Sequence, residues 1–494
     1  DGGTTSNATS DAITAGEGDD VITSAGDHTL TSTATSNALS VAASFSGVGF
    51  ASSTSTSTAN ADASAINAGS GSDIVTNASD LDNLADANAA GISVSVTGLG
   101  GAFAADSFWD GGTKANANAT AVDLGAGNDA VLNTGTVTNT ADADTLSVAG
   151  AISGIGIAGA AAASTATADA EAIDGGLGDD TIVNQGMLSS TADAEATGVS
   201  LAVTTAGAAV AGSFLDNATR ANAYATGIEG DAGTDTIVND ENAVVNVHSN
   251  AASSDTAIAI ALYGIAAADS NAVSTAESVG IGGGSESDTI SNIGSLTASS
   301  HTDARARAIT FSVVDASPPD ASFGTQANAV GFADTIGIDG GAGDDVINND
   351  GSVAAVADAY SVGQTFSVSL ISASVSDANA DAVVTASGIR GGGGDDAIFN
   401  SGDIGVETLA DTNARSINGN LVGLTVSKAN ATATTHAVGI DGGEDDDTIV
   451  NESDGLIDVL ATADTYASGV AITVAGASAT EARTAPIASA EGLQ

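Results

Sequence analysis

Residues 175–183 read GGLGDDTIV, and close variants of this stretch return eight more times along the 494-residue chain. With the second aspartate as anchor, the copies fall at Asp20, Asp73, Asp129, Asp180, Asp235, Asp288, Asp345, Asp396 and Asp447, at intervals of a little over fifty positions. The likeness extends beyond the turn. Seven residues before each anchor stands a branched aliphatic, Ile in every copy but the third, which has Val122. Another follows two residues after it, as in Ile22, Ile182, Ile237 and Ile398. Four residues after it comes Asn in eight copies, from Asn77 to Asn451, with Ser24 in the first. Such regularity means one unit copied nine times, and a chain of this kind is read as an array before anything else. Residues 1–494 are therefore expected to form a single continuous repeat array with no separate globular domain.

Between the turns the pattern changes to strict alternation of small and polar residues, as in TADAEATGVSLAV (191–203) and STATADAEAI (164–173). A period of two marks strands with one buried face. Alanine favours helix, but no i, i+3, i+4 stripe accompanies it, and Thr, Val, Ser and Gly are abundant. The middle of each unit, for example SVSVTGLGGAFA (93–104), is apolar and glycine-rich, which permits a bend or a close approach of backbones. The expected fold is all-β: a β-solenoid, parallel β-helix-like, of nine repeats of about 53 residues with stacked Gly/Asp-rich turns. Each strand would pair with the same strand of the next unit at roughly 4.8 Å. The apolar residues are mostly alanine, so the core should be thin and the object slender. Whether one unit winds one wide coil or two narrow ones stays open.

The charge is extreme: 62 acidic against 8 basic residues, a net of −54. Such a chain repels nucleic acid and itself. Acidity with few aromatics is one signature of disorder, but the internal periodicity argues against it, leaving bound cations to supply positive charge. No run of about 18 apolar residues exists to enter a bilayer. The chain opens on DGGTTSNATS, which resembles the middle of a repeat, and Gly492 and Leu493 match Gly439 and Ile440 in phase. A portion of a longer array, or subunits that cap one another, is the expectation.

The turns concentrate the acids: windows from seven residues before to six after each anchor make up a quarter of the chain and hold nearly half of its acids. Stacking them about 5 Å apart without counter-ions would cost ~3 kcal/mol per pair even at a high effective dielectric. Calcium takes about six to eight oxygens from carboxylates and backbone carbonyls, and glycine lets successive carbonyls converge. The candidate metal ligands are the nine anchors together with Asp19, Asp179, Asp344, Asp395 and Asp446, the acids that immediately precede an anchor. The plainer alternative is an Asx-type corner in which Asp and Asn cap the backbone. Several copies depart from the pattern. Glu286 and Asp445 replace the third glycine, Asp231 the second, and Ala15 and Ala68 the first. The asparagine column is expected to form a ladder of stacked amides.

Residues 175–183, 340–348 and 391–399 fit G-G-x-G-x-D-x-U-x at every specified position. This resembles the calcium-binding repeat of the repeats-in-toxin (hemolysin-type) family. The resemblance covers about nine residues per unit. It implies Ca²⁺ shared between turns on adjacent coils, secretion, and ordering of the chain by extracellular calcium.

Little points to catalysis. His248 and His301 stand at the same offset from their anchors, Asp235 and Asp288, and could stack, although exposed polar positions are the simpler reading. Arg305 and Arg307 near Asp303 read as a solvated ion pair, and Phe108–Trp109 as a packed loop or a small recognition spot. No nucleophile elbow is present, and no enzyme is expected. The expected role is a structural subunit of a calcium-stabilised extracellular bacterial filament or matrix fibre, with head-to-tail or lateral self-association, at the cell surface. The alternative is the stalk of a giant repeat adhesin that binds a surface or polysaccharide through a domain outside this chain. An ice-binding face would need outward threonines in constant register, and TSTATS, STSTSTA and TATADA do not keep one.

Overall fold

The structure, a computed structural model, describes residues 2–105, 112–212, 218–314, 324–453 and 455–494. Among them the chain is all-β and without helices, and every strand pairing is parallel. The Phe108–Trp109 spot lies outside the described residues.

The register shows how the repeats stack. Ile173 pairs with Ile228, Ile228 with Ile281, Ile281 with Ile338, Ile338 with Ile389, and Ile389 with Ile440. The same one-repeat offset holds for the opposite limb, where Leu188 meets Val245 and Val245 meets Leu296. One repeat therefore makes one rung, which answers the question of one coil or two. In the fourth repeat the rung consists of an approaching limb Ser164–Asp174, a short strand Thr181–Asn184 beyond the turn, and a leaving limb Met187–Gly212. The limbs fold back on each other at the glycine-rich middle of the unit.

Alternation along each limb buries every second side chain between the two layers. The inner faces are mostly alanine and serine, so the layers approach far closer than the ~10 Å of ordinary stacked sheets. Ser190 Oγ donates to the carbonyl of Ala170 at 2.9 Å, and Asn139 Nδ2 to that of Ala119 at 2.7 Å, each from one layer to the other. Ser95 Oγ reaches the Phe103 carbonyl at 2.6 Å next to the bend. Bulk is reserved for the end near the turn, where Ile66, Ile173, Ile228, Leu188 and Ile237 are fully buried in one hydrophobic cluster. Burying such a side chain stabilises by about 1.5–3 kcal/mol. Further along the limbs a separate alanine cluster, including Ala149, Ala202, Ala257 and Ala308, fills the narrow interior.

These dimensions correct the expected slenderness. A limb of about 20 residues spans roughly 65 Å, whereas nine rungs rise only about 40 Å. At this length the stack is a thin slab, wider than it is tall. Differences in repeat length are taken up at corners rather than inside limbs. Between repeats five and six, for instance, Thr236 pairs with Thr289 before the neck that follows the turn, and Val244 pairs with Ser295 beyond it. The neck of the fifth repeat is therefore longer than that of the sixth by two residues. One extra residue within a limb would turn every later side chain to the wrong face.

Candidate metal centre

Both glycine positions that shape the turn are left-handed in every repeat. Four residues before the anchor φ runs from 68° at Asp231 to 115° at Gly16, and two residues before it from 72° at Glu286 to 151° at Gly127. Asp231, Glu286 and Asp445, where the sequence departs from glycine, are the positive-φ non-glycine residues of the described chain. Space is as restrictive as the dihedral. A Cβ on Gly127 would lie 1.5 Å from the Gly71 carbonyl oxygen, and one on Gly178 1.6 Å from that of Gly127. The carbonyls of stacked turns thus point along the stack at the next backbone.

The two aspartates of each GDD do different work. The anchor's backbone N–H donates to Oδ1 of the anchor one rung later, from Asp20→Asp73 through to Asp396→Asp447, at 2.5 to 3.0 Å. The preceding residue forms a second ladder in the opposite sense. The N–H groups of Ser72, Thr234, Asp395 and Asp446 donate at 3.0 Å to Asp19, Asp179, Asp344 and Asp395 of the rung before. The outer acids Asp19, Asp179, Asp344, Asp395 and Asp446 are exposed. The inner anchors from Asp73 to Asp396 are buried. This much is the Asx corner that the residue types allow.

What the corner does not use is the second anchor oxygen. Oδ2 of Asp20, Asp73, Asp129, Asp180, Asp235, Asp288, Asp345 and Asp396 is buried with no hydrogen-bond partner. In later repeats it rests over the first glycine of its own turn, where a Cβ on Gly230, Gly340 or Gly391 would come within 2.7 Å of it or nearer. Burial pushes the Asp180 and Asp288 carboxyls up to about 7 and those of Asp235 and Asp396 to about 6. Neighbouring anchors raise Asp180 and Asp288 further, while the N–H bond to Oδ1 pulls the other way. Desolvation outweighs the hydrogen bond in each case. A carboxylate in this position needs a proton or a cation.

Among the described residues no three His, Asp or Glu side chains converge so as to hold a metal ion by themselves. The candidate ligands are brought into two columns, not into a carboxylate cage. A cation here would take one buried Oδ2 per rung and complete its shell with backbone carbonyls of the glycine turns, a donor set that suits a hard, oxygen-seeking ion such as calcium.

The structure adds an acidic column that the anchor-centred reading passed over. Six residues before the anchors, Asn67, Asp123, Asp174, Glu229, Gly282, Asp339 and Arg390 stack in register. Burial, compounded by Asp231 and other neighbouring acids, raises Glu229 to about 8 and Asp174 well above its ordinary value. Where the column offers a cation of its own, it is used: Arg390 grips Asp339 of the rung before with Nε and Nη2. Aligning the repeats six residues before the anchor shows this column in the sequence.

The remaining expectations are also placed. The asparagine ladder runs unbroken from Asn77 to Asn451, each Nδ2 donating to the next Oδ1 at 2.7 to 2.9 Å. His248 and His301 do not stack. The two-residue change of offset pairs His248 with Ser299 and His301 with Asn250, and His301 lies 3.8 Å from Asp358. Arg305 forms the surface ion pair with Asp303 and lies over the Tyr360 ring. No protein-family model matches the chain, and no curated protein or solved structure matches it.

Proposed function

We propose that the chain is a β-solenoid, one wide coil per repeat, whose stacked turns bind calcium and which serves as a structural element of an extracellular bacterial filament or matrix fibre. The observation that carries this reading is the column of eight buried anchor oxygens without a partner, repeated in register. A single orphan carboxylate oxygen is a local anomaly. Eight in one file, resting over the first glycine of their turns in the later repeats, suit a repeated cation cradle in the style of the repeats-in-toxin turn. The pairing of Arg390 with Asp339 supports the same logic, since it places a fixed cation where acids would otherwise stack. With calcium abundant outside cells and scarce inside, such a chain would order after export. Self-association of these units would build the fibre.

The test exploits the two oxygens of the anchor. Asp235→Asn and Asp288→Asn keep the acceptor for the neighbouring N–H and replace the orphan oxygen with a neutral NH₂. Calcium stoichiometry and affinity are measured by titration calorimetry on chelator-stripped protein, with strand content followed by circular dichroism. The expected outcome is fewer bound ions and a weakened calcium-dependent gain in stability. Wild-type protein that folds fully in chelator and ignores calcium would overturn the proposal and leave the anchors as ordinary corners.

A further inference from the structure

The edge of the slab opposite the acidic turns is apolar along the stack. At the bend, Val48, Leu99, Ile155, Tyr263, Ile371 and Val422 occupy one register column and are 44 to 77% exposed. Ala206 and Ala475 occupy the same column in the fourth and ninth rungs. The surrounding sequence is free of charge. No Asp, Glu, Lys or Arg occurs in 29–61, 87–105, 145–168, 196–215, 256–268, 359–376, 416–427 or 465–480. In the sixth repeat 308–314 is likewise uncharged and Asp315 follows, outside the described residues. A chain of net charge −54 thus keeps charge away from the bend in eight of its nine repeats, while the turn edge carries nearly half of its acids.

We infer that this bend edge is a lateral interface on which a second copy of the chain packs, edge to edge, with the two acidic turn edges facing outward. Charge selects the occupant. Like copies repel over most of their surface, and the bend edge is where two of them can meet without bringing carboxylates together. Its apolar length is roughly 40 Å, nine rungs at about 4.8 Å each. Exposed apolar patches of this extent mark interaction sites. Interaction of one surface with itself is the isologous arrangement most homodimers adopt. The inference names the edge used for the self-association proposed above, and it does not depend on which ion the turns hold.

The experiment compares wild-type protein in saturating calcium with two triple variants of equal added charge. Ile155→Glu/Tyr263→Glu/Val422→Glu places the charges on the edge. Thr31→Glu/Thr138→Glu/Asn246→Glu places them at exposed positions on the flat faces. Sedimentation equilibrium gives the mass, circular dichroism checks that each variant keeps its strands, and calcium stoichiometry is measured in parallel. Wild type and the flat-face variant are expected to pair, and the edge variant to dissociate with at least a 100-fold weaker constant while binding calcium equally. Wild type that stays monomeric at 100 µM overturns the inference, as does equal weakening in both variants. Monomeric wild type that floats with neutral phosphatidylcholine vesicles also overturns it and assigns the edge to lipid. Calcium-replete but monomeric protein removes the interface and leaves the metal reading standing. Pairing by protein that binds no calcium does the reverse.

Discussion

The backbone N–H of Asp180 donates to Oδ1 of Asp235, one rung later, at 2.7 Å, and Oδ2 of the same carboxylate is buried without a partner. One side chain thus has two roles. Its first oxygen closes a corner where the sheet ladder is interrupted, because an unpaired buried N–H would cost about 1–3 kcal/mol. Its second oxygen is left over by the geometry. Asparagine would serve the first role as well and avoid the cost of a buried charge. The aspartate at all nine anchors is therefore the feature on which the proposed cation site rests.

The asparagine ladder should be position-dependent. Asn239→Ala strands the Nδ2 of Asn184 and the Oδ1 of Asn292, both fully buried. The expected loss is ~2–5 kcal/mol, since each orphaned group costs about 1–3 kcal/mol. Asn451→Ala, at the exposed end of the ladder, should cost less than ~1 kcal/mol. Urea unfolding midpoints of the two variants, measured side by side, check the difference.

Turn geometry makes opposite predictions for two substitutions. Gly127→Ala combines a φ of 151° with a Cβ 1.5 Å from the Gly71 carbonyl oxygen. It should destabilise by at least ~3 kcal/mol, as backbone strain and a forced separation of rungs add together. Asp445→Gly relieves a left-handed non-glycine residue at an exposed corner and should stabilise by up to ~1 kcal/mol. Thermal melts in saturating calcium and in chelator report both effects, the second condition excluding any contribution of Asp445 to cation binding.

Asp255 supplies a pH dependence away from the turns. It is buried between the layers, where Oδ2 accepts the Asn271 N–H at 2.8 Å and Oδ1 has no partner. Burial pushes its carboxyl up to about 7. The unfolded carboxyl titrates near 3.9, so between about pH 4 and 7 the folded chain holds a proton that the unfolded chain has released. Stability is then lost progressively as pH rises from about 4 through about 7, by at most ~4 kcal/mol. Asp255→Asn removes this contribution while keeping an acceptor for the Asn271 N–H. The variant should be more stable than wild type at pH 8 and show a shallower stability slope between pH 5 and 8. Equal slopes would reject the assignment.

The aliphatic column near the turn should respond as a well-packed core. Ile228 is fully buried between Ile173 and Ile281, and Ile228→Ala should cost ~2–5 kcal/mol. Ala202→Gly, in the alanine cluster, should cost only ~1 kcal/mol because it removes a single methyl group and adds backbone freedom. Equilibrium denaturation of both variants tests whether the turn end holds more of the stability than the middle of the limbs.

Most of the repeat could be read without coordinates. The anchors, the aliphatics seven before and two after them, the asparagine column and the period-two limbs are local patterns, and identical units stacked in register turn each of them into a column. Local pattern specifies which residues face inward and which unit repeats. It does not specify what faces what across rungs of unequal length. That His248 meets Ser299 rather than His301 follows from where two residues are absorbed at a corner, and this depends on the whole coil closing. The same closure decided that a full repeat makes one wide rung rather than two narrow ones. It set the two aspartate ladders running in opposite directions, so that one carboxylate oxygen per rung is buried unused. It also brought Val48, Leu99, Ile155, Tyr263, Ile371 and Val422, from six different repeats, into one column along the edge opposite the turns. These relations belong to the stack because neighbours in it are separated by a full repeat, beyond the reach of any local signal in the chain.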